Sequence, residues 1–380
     1  MSQSALIAES EALHERVRAF AKQARGEADF ERLALEIAEY QARYQPGYAR
    51  LLRRCGKTPD GVAALPAVPT DAFRLTRVAA HPPALDSACF VTSGTTGQDQ
   101  GRHYFRTTRT YAELSVEFGR RALRSSPARC TAVALAPAPS EPPSSSLGFM
   151  CGLFMEQFDG RPLVEAGHGV TAAFDVTAAE RWLLSPGHID LEGLRRAVAC
   201  AQRRAEPMLL LATSFALVET LDALDRAKVT TLPLPAGSVV MQTGGYKGRT
   251  REIPRAELRT WVARVFGIAE EQVASEYGMT ELSSQLYEAC VPGAELAGPR
   301  ELHLAPPWLR VSAVDPVSLE PVAEGEVGLA RFVDLANVDS ALVILTRDAI
   351  RKRGPFIELL GRAPGAPPRG CSLAIEALLA

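Results

Sequence analysis

The chain has no long apolar run and no dominant charge. Nowhere do about eighteen apolar residues follow one another, as a membrane-spanning helix requires. The first residues, MSQSALIAESEALHERVRAF, have glutamates where a secretory signal needs a positive start and an apolar stretch. Because 42 basic residues oppose 44 acidic ones, nothing favours binding to nucleic acid or to a membrane surface. We therefore expect a cytoplasmic protein without an integral membrane segment, whose partners are small molecules or proteins.

Cysteine and histidine lack the spacings of a crosslinked or metal-binding fold. The seven cysteines are odd in number and scattered, without a Cys-x-x-Cys pair, and the six histidines form no His-x-x-x-His pattern. A zinc site and a disulfide framework are therefore not expected. A reducing compartment fits this cysteine usage.

Hydrophobic periodicity divides the chain into three parts. Apolar residues at helical spacing predict two or three helices over 4–55. From residue 129 the short apolar runs CTAVALAP, MLLLAT, SVVMQTGG and QVASEYG alternate with amphipathic segments, as in an α/β sheet with covering helices. After residue 308, LRVSAVD, EVGLARFVD and ALVILTRD predict an antiparallel set. We predict a helical segment over 1–60, an α/β core over 61–307 and a small β-rich lobe over 308–380.

Two strand-to-helix junctions indicate where a ligand binds. The run MLLLAT is followed by the helix FALVETLDALDRA, with Ser214 as the predicted N-cap, and Pro254 begins the helix PRAELRTWVARVF. Both junctions put polar loops at the carboxyl ends of strands, where open α/β sheets bind their ligands.

The segment VTSGTTG is the strongest local signal. It combines hydroxyl side chains with two glycines directly after an apolar run, so backbone N–H groups and hydroxyls can face one anion. The loop would fit a triphosphate, although an ordinary polar turn has a similar composition. No lysine follows as in the GxxxxGK loop of kinases and GTPases, so that class is excluded.

Further segments extend this signal to a family resemblance. With TGGYKGR and EYGMTELSSQ downstream, VTSGTTG resembles the adenylate-forming (acyl-activating) ligase superfamily. LPAVPTDAFRLT near residue 65 and the tail LLGRAPGAPPRGCSL make the chain most similar to the LuxE-type acyl-protein synthetases, or long-chain-fatty-acid luciferin-component ligases. The resemblance runs from the sixties to the C-terminus. It implies an α/β adenylate-forming body, preceded by the helical segment and lacking the full mobile C-terminal domain.

The resemblance also implies ATP and Mg²⁺ as cofactors and assigns residue roles. Thr280 would lie by the α-phosphate and the acyl carboxylate, Glu281 would bind Mg²⁺, and Asp348 would accept hydrogen bonds from the ribose. Gly244 and Gly245 would pass close to the adenine, on which Tyr277 would stack. The complete implied nucleotide site comprises Thr92, Ser93, Gly94, Thr95, Thr96, Gly97, Gly244, Gly245, Tyr277, Gly278, Met279, Thr280, Asp348 and Arg362.

The residues leave other interpretations open. The superfamily's phosphate loop usually ends in a lysine, whereas GQDQGRHYFR follows here, so Arg102 or Arg106 is the candidate cation. Without the family context, Glu281 is compatible with a helix N-terminal acid beside Thr280, and Asp348 with a turn former.

The tail suggests how the activated acid is used. Only eighteen residues, none of them lysine, follow Gly361-Arg362, so the rotating domain with a catalytic lysine found in acyl-CoA ligases is not expected. Cys371 stands beside arginine on a predicted loop, a setting that favours a thiolate. By resemblance, Cys371 would accept the acyl group as a thioester, although a buried cysteine before the helix SLAIEALL is the plain alternative. Cys290 is a second candidate thiol.

Two other functions remain possible on sequence grounds. A ligase could pass its adenylate directly to CoA or a carrier-protein thiol, with Cys371 structural. A non-catalytic partner of an acyl reductase could bind nucleotide only, although the joint presence of Ser93, Thr280, Glu281 and Asp348 argues against it. The carboxylic acid substrate, fatty or aryl, and the acceptor, an acyl reductase or another protein, are not specified. Candidate pocket residues are Phe215, Met241 and Leu282.

Overall fold

A computed structural model provides the fold, and it describes residues 2–23, 26–54, 61–92, 100–124, 126, 128–161, 163, 179–244, 253–363 and 369–379. The α-helices in these ranges are α1 (Gln3–Lys22), α2 (Glu27–Tyr44), α3 (Pro46–Arg54), α4 (Ala72–Leu75), α5 (Arg109–Leu123), α6 (Ser146–Phe158), α7 (Leu191–Arg204), α8 (Ser214–Arg226), α9 (Arg255–Phe266) and α10 (Arg369–Leu379). The first strands are β1 (Val68–Pro69), β2 (Ala88–Val91), β3 (Arg102–Phe105), β4 (Thr131–Leu135), β5 (Leu184–Ser185), β6 (His188–Ile189), β7 (Met208–Thr213) and β8 (Val239–Thr243). The others are β9 (Val273–Tyr277), β10 (Leu286–Glu288), β11 (Leu302–Leu304), β12 (Leu309–Val314), β13 (Val327–Asp334), β14 (Val343–Arg353) and β15 (Phe356–Arg362).

One large sheet organises the described residues. Its strand order is β12-β13-β14-β15-β11-β10-β9-β8-β7-β4, and β1 pairs with β14. Strands β4, β7, β8 and β9 are parallel, so their carboxyl ends meet at one edge. Side chains of β4, β7 and β8 alternate between two buried clusters, one on each face of the sheet. This arrangement explains why the strands read as continuous apolar runs, and it confirms the predicted α/β class.

The predicted antiparallel set exists, and it extends the same sheet. β12 pairs with β13, and β13 with β14, in antiparallel register. β15 then connects β14 to β11, so strands on both sides of residue 307 are joined by hydrogen bonds. The boundaries at 60 and 307 stay predictions.

The N-terminal helices are part of the main core. Val17 and Phe20 of α1 and Phe30 and Ile37 of α2 are buried in the cluster that also contains the inward side chains of β13 and β14. The amphipathic pattern of 4–55 therefore forms three helices whose apolar faces cover the sheet. None of the helices in the described part of the chain combines the length and apolarity needed to cross a bilayer.

Three predicted element boundaries were wrong. The helix predicted to start with Pro254 is α9, which begins at Arg255 and has Pro254 as its N-cap. The N-cap of α8 is Thr213, not Ser214, since the Thr213 hydroxyl accepts a hydrogen bond from the Ala216 N–H at 3.1 Å. The segment around Cys371, predicted as a loop before a helix, is itself helical, because α10 begins at Arg369. Helix α10 packs against α3 and β1, and the Arg50 guanidinium donates to the carbonyls of Ala377 and Leu378 at 3.0 and 2.9 Å.

Candidate active site

The carboxyl edge of the parallel strands holds the first part of the candidate site. β8 ends at Thr243, and Gly244 follows with φ +63°, a conformation that glycine adopts without strain. The Ser214 hydroxyl donates to the Gly244 carbonyl at 2.7 Å and accepts from the Gln242 side-chain amide at 2.9 Å. The turn predicted to pass the adenine is thus held from the start of α8. Gly245 lies outside the described residues.

Tyr277 and Asp348 meet although four strand spacings separate β9 from β14. A flat sheet would put them about 19 Å apart, yet the Tyr277 hydroxyl donates to Oδ2 of Asp348 at 2.7 Å. The sheet therefore curls, and it brings the β14–β15 hairpin over the end of β9. Arg362, opposite Asp348 in that hairpin, has its Nε 3.7 Å from Oδ1 of Asp348. The structure brings together these three predicted nucleotide residues.

The ring of Tyr277 is only half-buried. It stacks on Phe332 of β13, with ring centroids 6.0 Å apart and an interplanar angle of 22°. A buried aromatic neighbour fixes the plane of the ring, and a hydrogen bond fixes its hydroxyl. A flat and rigid platform of this kind suits the stacking of a base.

The segment from Gly278 to Gln285 is a turn between β9 and β10 and contains no helix. The alternative that Glu281 is a helix N-terminal acid is therefore wrong. His103 donates from Nδ1 to the Thr280 carbonyl at 2.8 Å, and burial lowers the pKa of His103 to about 4, which keeps the ring neutral. The Asn337 side-chain amide donates to the Glu281 carbonyl at 3.0 Å. The backbone of both predicted residues is thus fixed by buried side chains.

Glu281 lies at the base of the hairpin that carries the predicted phosphate loop. β2 and β3 pair antiparallel, and the N–H of Gly101 donates to the Thr92 hydroxyl at 2.8 Å. A Cβ added at Gly101 would lie 3.6 Å from Oε1 of Glu281. The loop between Thr92 and Gly101 therefore starts and ends beside this carboxyl. Ser93, Gly94, Thr95, Thr96 and Gly97 lie outside the described residues.

The Glu281 carboxyl is buried, and its pKa is raised. Burial raises its pKa to about 7, Arg362 acts in the opposite direction, and the nearby carboxylates of Asp348 and Asp71 add to the increase. Among the described residues, no group of three or more Asp, Glu, His or Cys could hold a metal ion. Mg²⁺ commonly binds through one or two carboxylates together with substrate phosphates, so a lone carboxyl at a phosphate loop fits that ion.

The two candidate cations differ in what surrounds them. Arg106 pairs with Glu11 at 2.7 Å, and its Nε lies 3.3 Å from Asp339, so its charge is used between α1 and the core. Arg106 is therefore a poor candidate for the phosphate role. Arg102 is exposed on β3, one residue beyond Gly101 at the end of the loop, and its role stays a prediction.

The thiols also differ. Burial raises the pKa of Cys290 to about 12, and its Sγ contacts the Glu271 carbonyl at 3.5 Å. Cys290 therefore lacks the thiolate character of a nucleophile. Cys371 lies in the first turn of α10 by its backbone; its side chain is outside the described residues.

Glu276 is a site residue that sequence reasoning missed. Its buried carboxyl accepts a hydrogen bond from the Thr243 hydroxyl, and a Cβ at Gly278 would come within 2.5 Å of its Oε1. Burial raises the pKa of Glu276 to about 7. The available signal was an acidic residue inside the apolar strand run QVASEYG. The candidate pocket residues do not lie together. Met241 and Leu282 belong to one apolar cluster, whereas Phe215 packs against the other.

Comparisons with known proteins agree with this geometry. The LuxE acyl-protein synthetase family model matches residues 191–380, half of the chain. The long-chain-fatty-acid–luciferin-component ligases of Aliivibrio fischeri and Vibrio harveyi are 25% identical over 147 residues and 23% identical over 146 residues. Each alignment covers 36% of this chain and 36% of the relative, so only about a third of those ligases is matched.

Solved structures show a similar fold. An open conformation of 2-hydroxyisobutyryl-CoA ligase with 2-HIB-AMP and CoA has a TM-score of 0.59 at 12% identity, covering 88% of this chain and 75% of that one. Its thioesterification state gives a TM-score of 0.60 at 15% identity, covering 89% and 69%. At such identities the likeness concerns the fold alone, and it confirms the expected fold. Together with the family match over residues 191–380, it leads to one conclusion: the chain belongs to the LuxE family of acyl-protein synthetases.

Proposed function

We propose that the protein activates a carboxylic acid with ATP to an acyl adenylate and then transfers the acyl group to a thiol, that of Cys371, as an acyl-protein thioester. The observation that carries this proposal is the contact of Tyr277 with Asp348, next to the Thr280–Glu281 turn. Residues far apart in the chain thereby form one polar site at the carboxyl edge of the sheet. Family membership supports the acyl chemistry.

The adenylation step joins two anions. A carboxylate oxygen of the acid attacks the α-phosphorus of ATP, and pyrophosphate leaves, so the site must offset repulsion and align the reactants. Asp348 would accept from the ribose hydroxyls on Oδ1 and on the remaining lone pair of Oδ2, which also accepts from Tyr277. Thr280 would donate its hydroxyl near the α-phosphate, and the loop after Thr92 would offer N–H groups to the remaining phosphates. Arg102 would supply a cation at the exit of that loop.

Glu281 would hold Mg²⁺ together with the phosphates of ATP. The ion would supply charge neutralisation on the phosphate oxygens. A carboxyl whose pKa is raised to about 7 by burial gains from a cation nearby, because positive charge favours its ionised form.

The transfer step uses a thiol. The thiolate attacks the carbonyl carbon of the adenylate, the bond from that carbon to the phosphate oxygen breaks, and AMP leaves. Cys371 is the thiol implied by the family, and its backbone lies at the start of α10. The thioester keeps the acyl group activated for an acyl reductase or another acceptor protein. A long-chain fatty acid is the first substrate to test, because the matched relatives are named long-chain-fatty-acid–luciferin-component ligases.

The test has two readouts. Exchange of labelled pyrophosphate into ATP is measured with a panel of fatty and aryl acids, and the intact mass of the protein is then measured with ATP and the best acid. We expect acid-dependent exchange and an acyl adduct. Cys371→Ala should abolish the adduct and keep the exchange, whereas Cys290→Ala, the matched control, should keep both. Exchange without an adduct would instead indicate direct transfer to CoA or a carrier protein. Absence of exchange with every acid would favour a non-catalytic nucleotide-binding partner.

A further inference from the structure

The connection between β13 and β14 is a buried loop with unusual partners. We call residues 335–342 the inner loop; every one of them is buried. Connecting segments normally run over the surface, because buried backbone polar groups need hydrogen-bond partners. The partners of the inner loop include the N-terminal helices on one side and the Thr280–Glu281 turn on the other, and Val78 and Ala80 add hydrogen bonds to Ser340 and Asp339.

Asp339 binds the inner loop to α1 and α2. Its Oδ1 accepts hydrogen bonds from the hydroxyls of Ser10 and Tyr40, both at 2.7 Å. Its Oδ2 lies 3.0 Å from Nε2 of His14 and 3.3 Å from Nε of Arg106. Burial opposes ionisation, but the hydrogen bonds and charge of His14, with the two hydroxyls, hold the pKa of Asp339 far below its ordinary value. The carboxylate is therefore a charged anchor in the core.

Gln41 of α2 adds three hydrogen bonds. Its side-chain amide donates to the carbonyls of Asn337 and Val338 at 2.7 and 3.0 Å, and its oxygen accepts from the Leu342 N–H at 3.0 Å. The same glutamine thus contacts the loop at both ends. Because it satisfies backbone groups only, it fixes the path of the loop rather than any single side chain.

From the inner loop and the end of β13, side chains reach the turn that carries Glu281. Asn337 donates to the Glu281 carbonyl at 3.0 Å and to the Ala341 carbonyl at 2.9 Å. Asp334, the last residue of β13, accepts from the Ser283 N–H at 3.0 Å and from the Ser284 hydroxyl at 2.7 Å. A continuous set of buried hydrogen bonds therefore runs from α1 and α2 to the turn.

We propose that the N-terminal helices act through the inner loop to position Glu281, with Asp339 and Asn337 as the positioning residues. This inference depends on the proposed function only for the task of Glu281 in ATP use. Helices α1 and α2 would then be part of the adenylation machinery, although they lie outside the residues that match the LuxE family model. A displacement of about 1 Å at a reacting centre can cost on the order of a hundredfold in rate.

The test compares two buried aspartates. Asp339→Asn removes the charge of the anchor, and Asp159→Asn is the matched control. Asp159 is also buried, and its Oδ2 accepts from Arg181 at 2.9 Å and from the Ala132 N–H at 3.3 Å. Ala132 lies at the start of β4, so the control acts at the opposite edge of the sheet. Tyr40→Phe removes one hydrogen bond to Asp339 while keeping the ring, and it serves if Asp339→Asn does not fold.

Amide hydrogen exchange of the peptide covering 278–285 tests positioning without activity. Asp339→Asn should speed exchange there by about tenfold and Tyr40→Phe by about threefold, relative to the amides of β7 and β8, because local opening of the turn becomes easier. Asp159→Asn should leave the peptide unchanged. Unchanged exchange at the turn in folded Asp339→Asn or Tyr40→Phe overturns the inference.

Pyrophosphate exchange then links position to rate. Both Asp339→Asn and Glu281→Gln should lower kcat, and Asp339→Asn should lower it less. The KM of Asp339→Asn for the acid should stay within about twofold of that of the unchanged protein, because only the turn is displaced. A kcat equal to that of Asp159→Asn would refute the positioning role. If the unchanged protein shows no pyrophosphate exchange at all, the proposed function fails, while the hydrogen-exchange result still decides whether the helices hold the turn.

Discussion

The burial of Glu276 predicts how strongly the stability of the protein depends on pH. Its carboxyl is buried between the end of β8 and Gly278, and the Thr243 hydroxyl is its hydrogen-bond donor. Among the residues that the structure describes, no basic side chain contributes to its pKa, which burial raises from an ordinary value of 4.5 to about 7. Above pH 7 the folded protein therefore carries a buried charge that the unfolded chain would hold in water.

The sign follows from proton linkage. Since the folded pKa exceeds the unfolded one, the folded state binds more protons between pH 4.5 and 7, and this contribution to stability is lost as pH rises through that window. The difference in pKa corresponds to roughly 3 kcal/mol in total. Glu276→Gln keeps the shape and can still accept from Thr243, but it has no proton to lose. The substitution should therefore increase the free energy of unfolding at pH 8 relative to that at pH 5.

Urea unfolding of both proteins at pH 5, 6, 7 and 8 measures this effect. The stability of Glu276→Gln minus that of the unchanged protein should grow by about 2 to 3 kcal/mol from pH 5 to pH 8. Contributions from Glu281 and Asp334 are present in both proteins and cancel. Glu288→Gln is the contrast, because Glu288 is equally buried but bonded to the Arg259 guanidinium at 2.6 Å. The Glu288→Gln substitution should lower the free energy of unfolding at pH 8, because it leaves the Arg259 guanidinium without a carboxylate partner. A difference for Glu276→Gln that stays constant with pH would refute the reasoning.

Further substitutions test the site and the C-terminal helix. Tyr277→Phe removes the donor to Asp348 and should raise the KM for ATP about fivefold in pyrophosphate exchange, as expected for one hydrogen bond; an unchanged KM would contradict the ribose site. Gly278→Ala puts a Cβ 2.5 Å from the Glu276 carboxyl and should cost about 2 to 3 kcal/mol in urea unfolding. Gly244→Ala meets no described atom within 4 Å but has φ +63°, and it should cost about 1 kcal/mol. Equal costs would argue against the close contact. Arg50→Met removes the donors to the carbonyl end of α10, so amide exchange in α10 should become faster. The yield of acyl-protein at Cys371 should fall, whereas the rate of pyrophosphate exchange should stay unchanged. Unaltered exchange in α10 would show that the contact does not hold the helix.

The sequence predicted those elements whose structure depends on the hydrophobic pattern of their own residues. The apolar runs MLLLAT and SVVMQTGG became β7 and β8, because buried parallel strands need apolar residues on both faces. The prediction of a loop at residues 369–372 was wrong because it used local residue types alone. Glycine and proline near the tail suggested a loop, but α10 gains burial of Ala377 and Leu378 against the helical N-terminus. Tertiary packing outweighed weak local propensity there.

Contacts across the chain were beyond sequence reasoning. Ser10 and Asp339 are 329 residues apart and lie in segments with no shared motif, so nothing in either segment indicates the other. Tyr277 and Asp348 are separated by 71 residues, and the family resemblance named both without predicting that they touch. That contact requires the sheet to curl, and the curl depends on the strand order from β9 to β14.

The buried carboxyls of the site share one physical feature that their sequence contexts conceal. Glu276, Glu281 and Asp334 all have pKa values raised by burial, to about 7, 7 and 6, whereas Asp339 is kept charged by His14 and two hydroxyls. Burial of carboxyls without a counter-ion costs stability, so a fold that keeps them near one edge of its sheet gives up stability there. A bound cation at Glu281 would restore part of it, since an opposite charge favours ionisation. The same argument gives no such gain at Asp339, which already lies beside the Arg106 guanidinium and accepts hydrogen bonds from Ser10 and Tyr40. Asp339 therefore already has its partners inside the protein, whereas Glu281 is the carboxyl for which we propose a bound cation as partner.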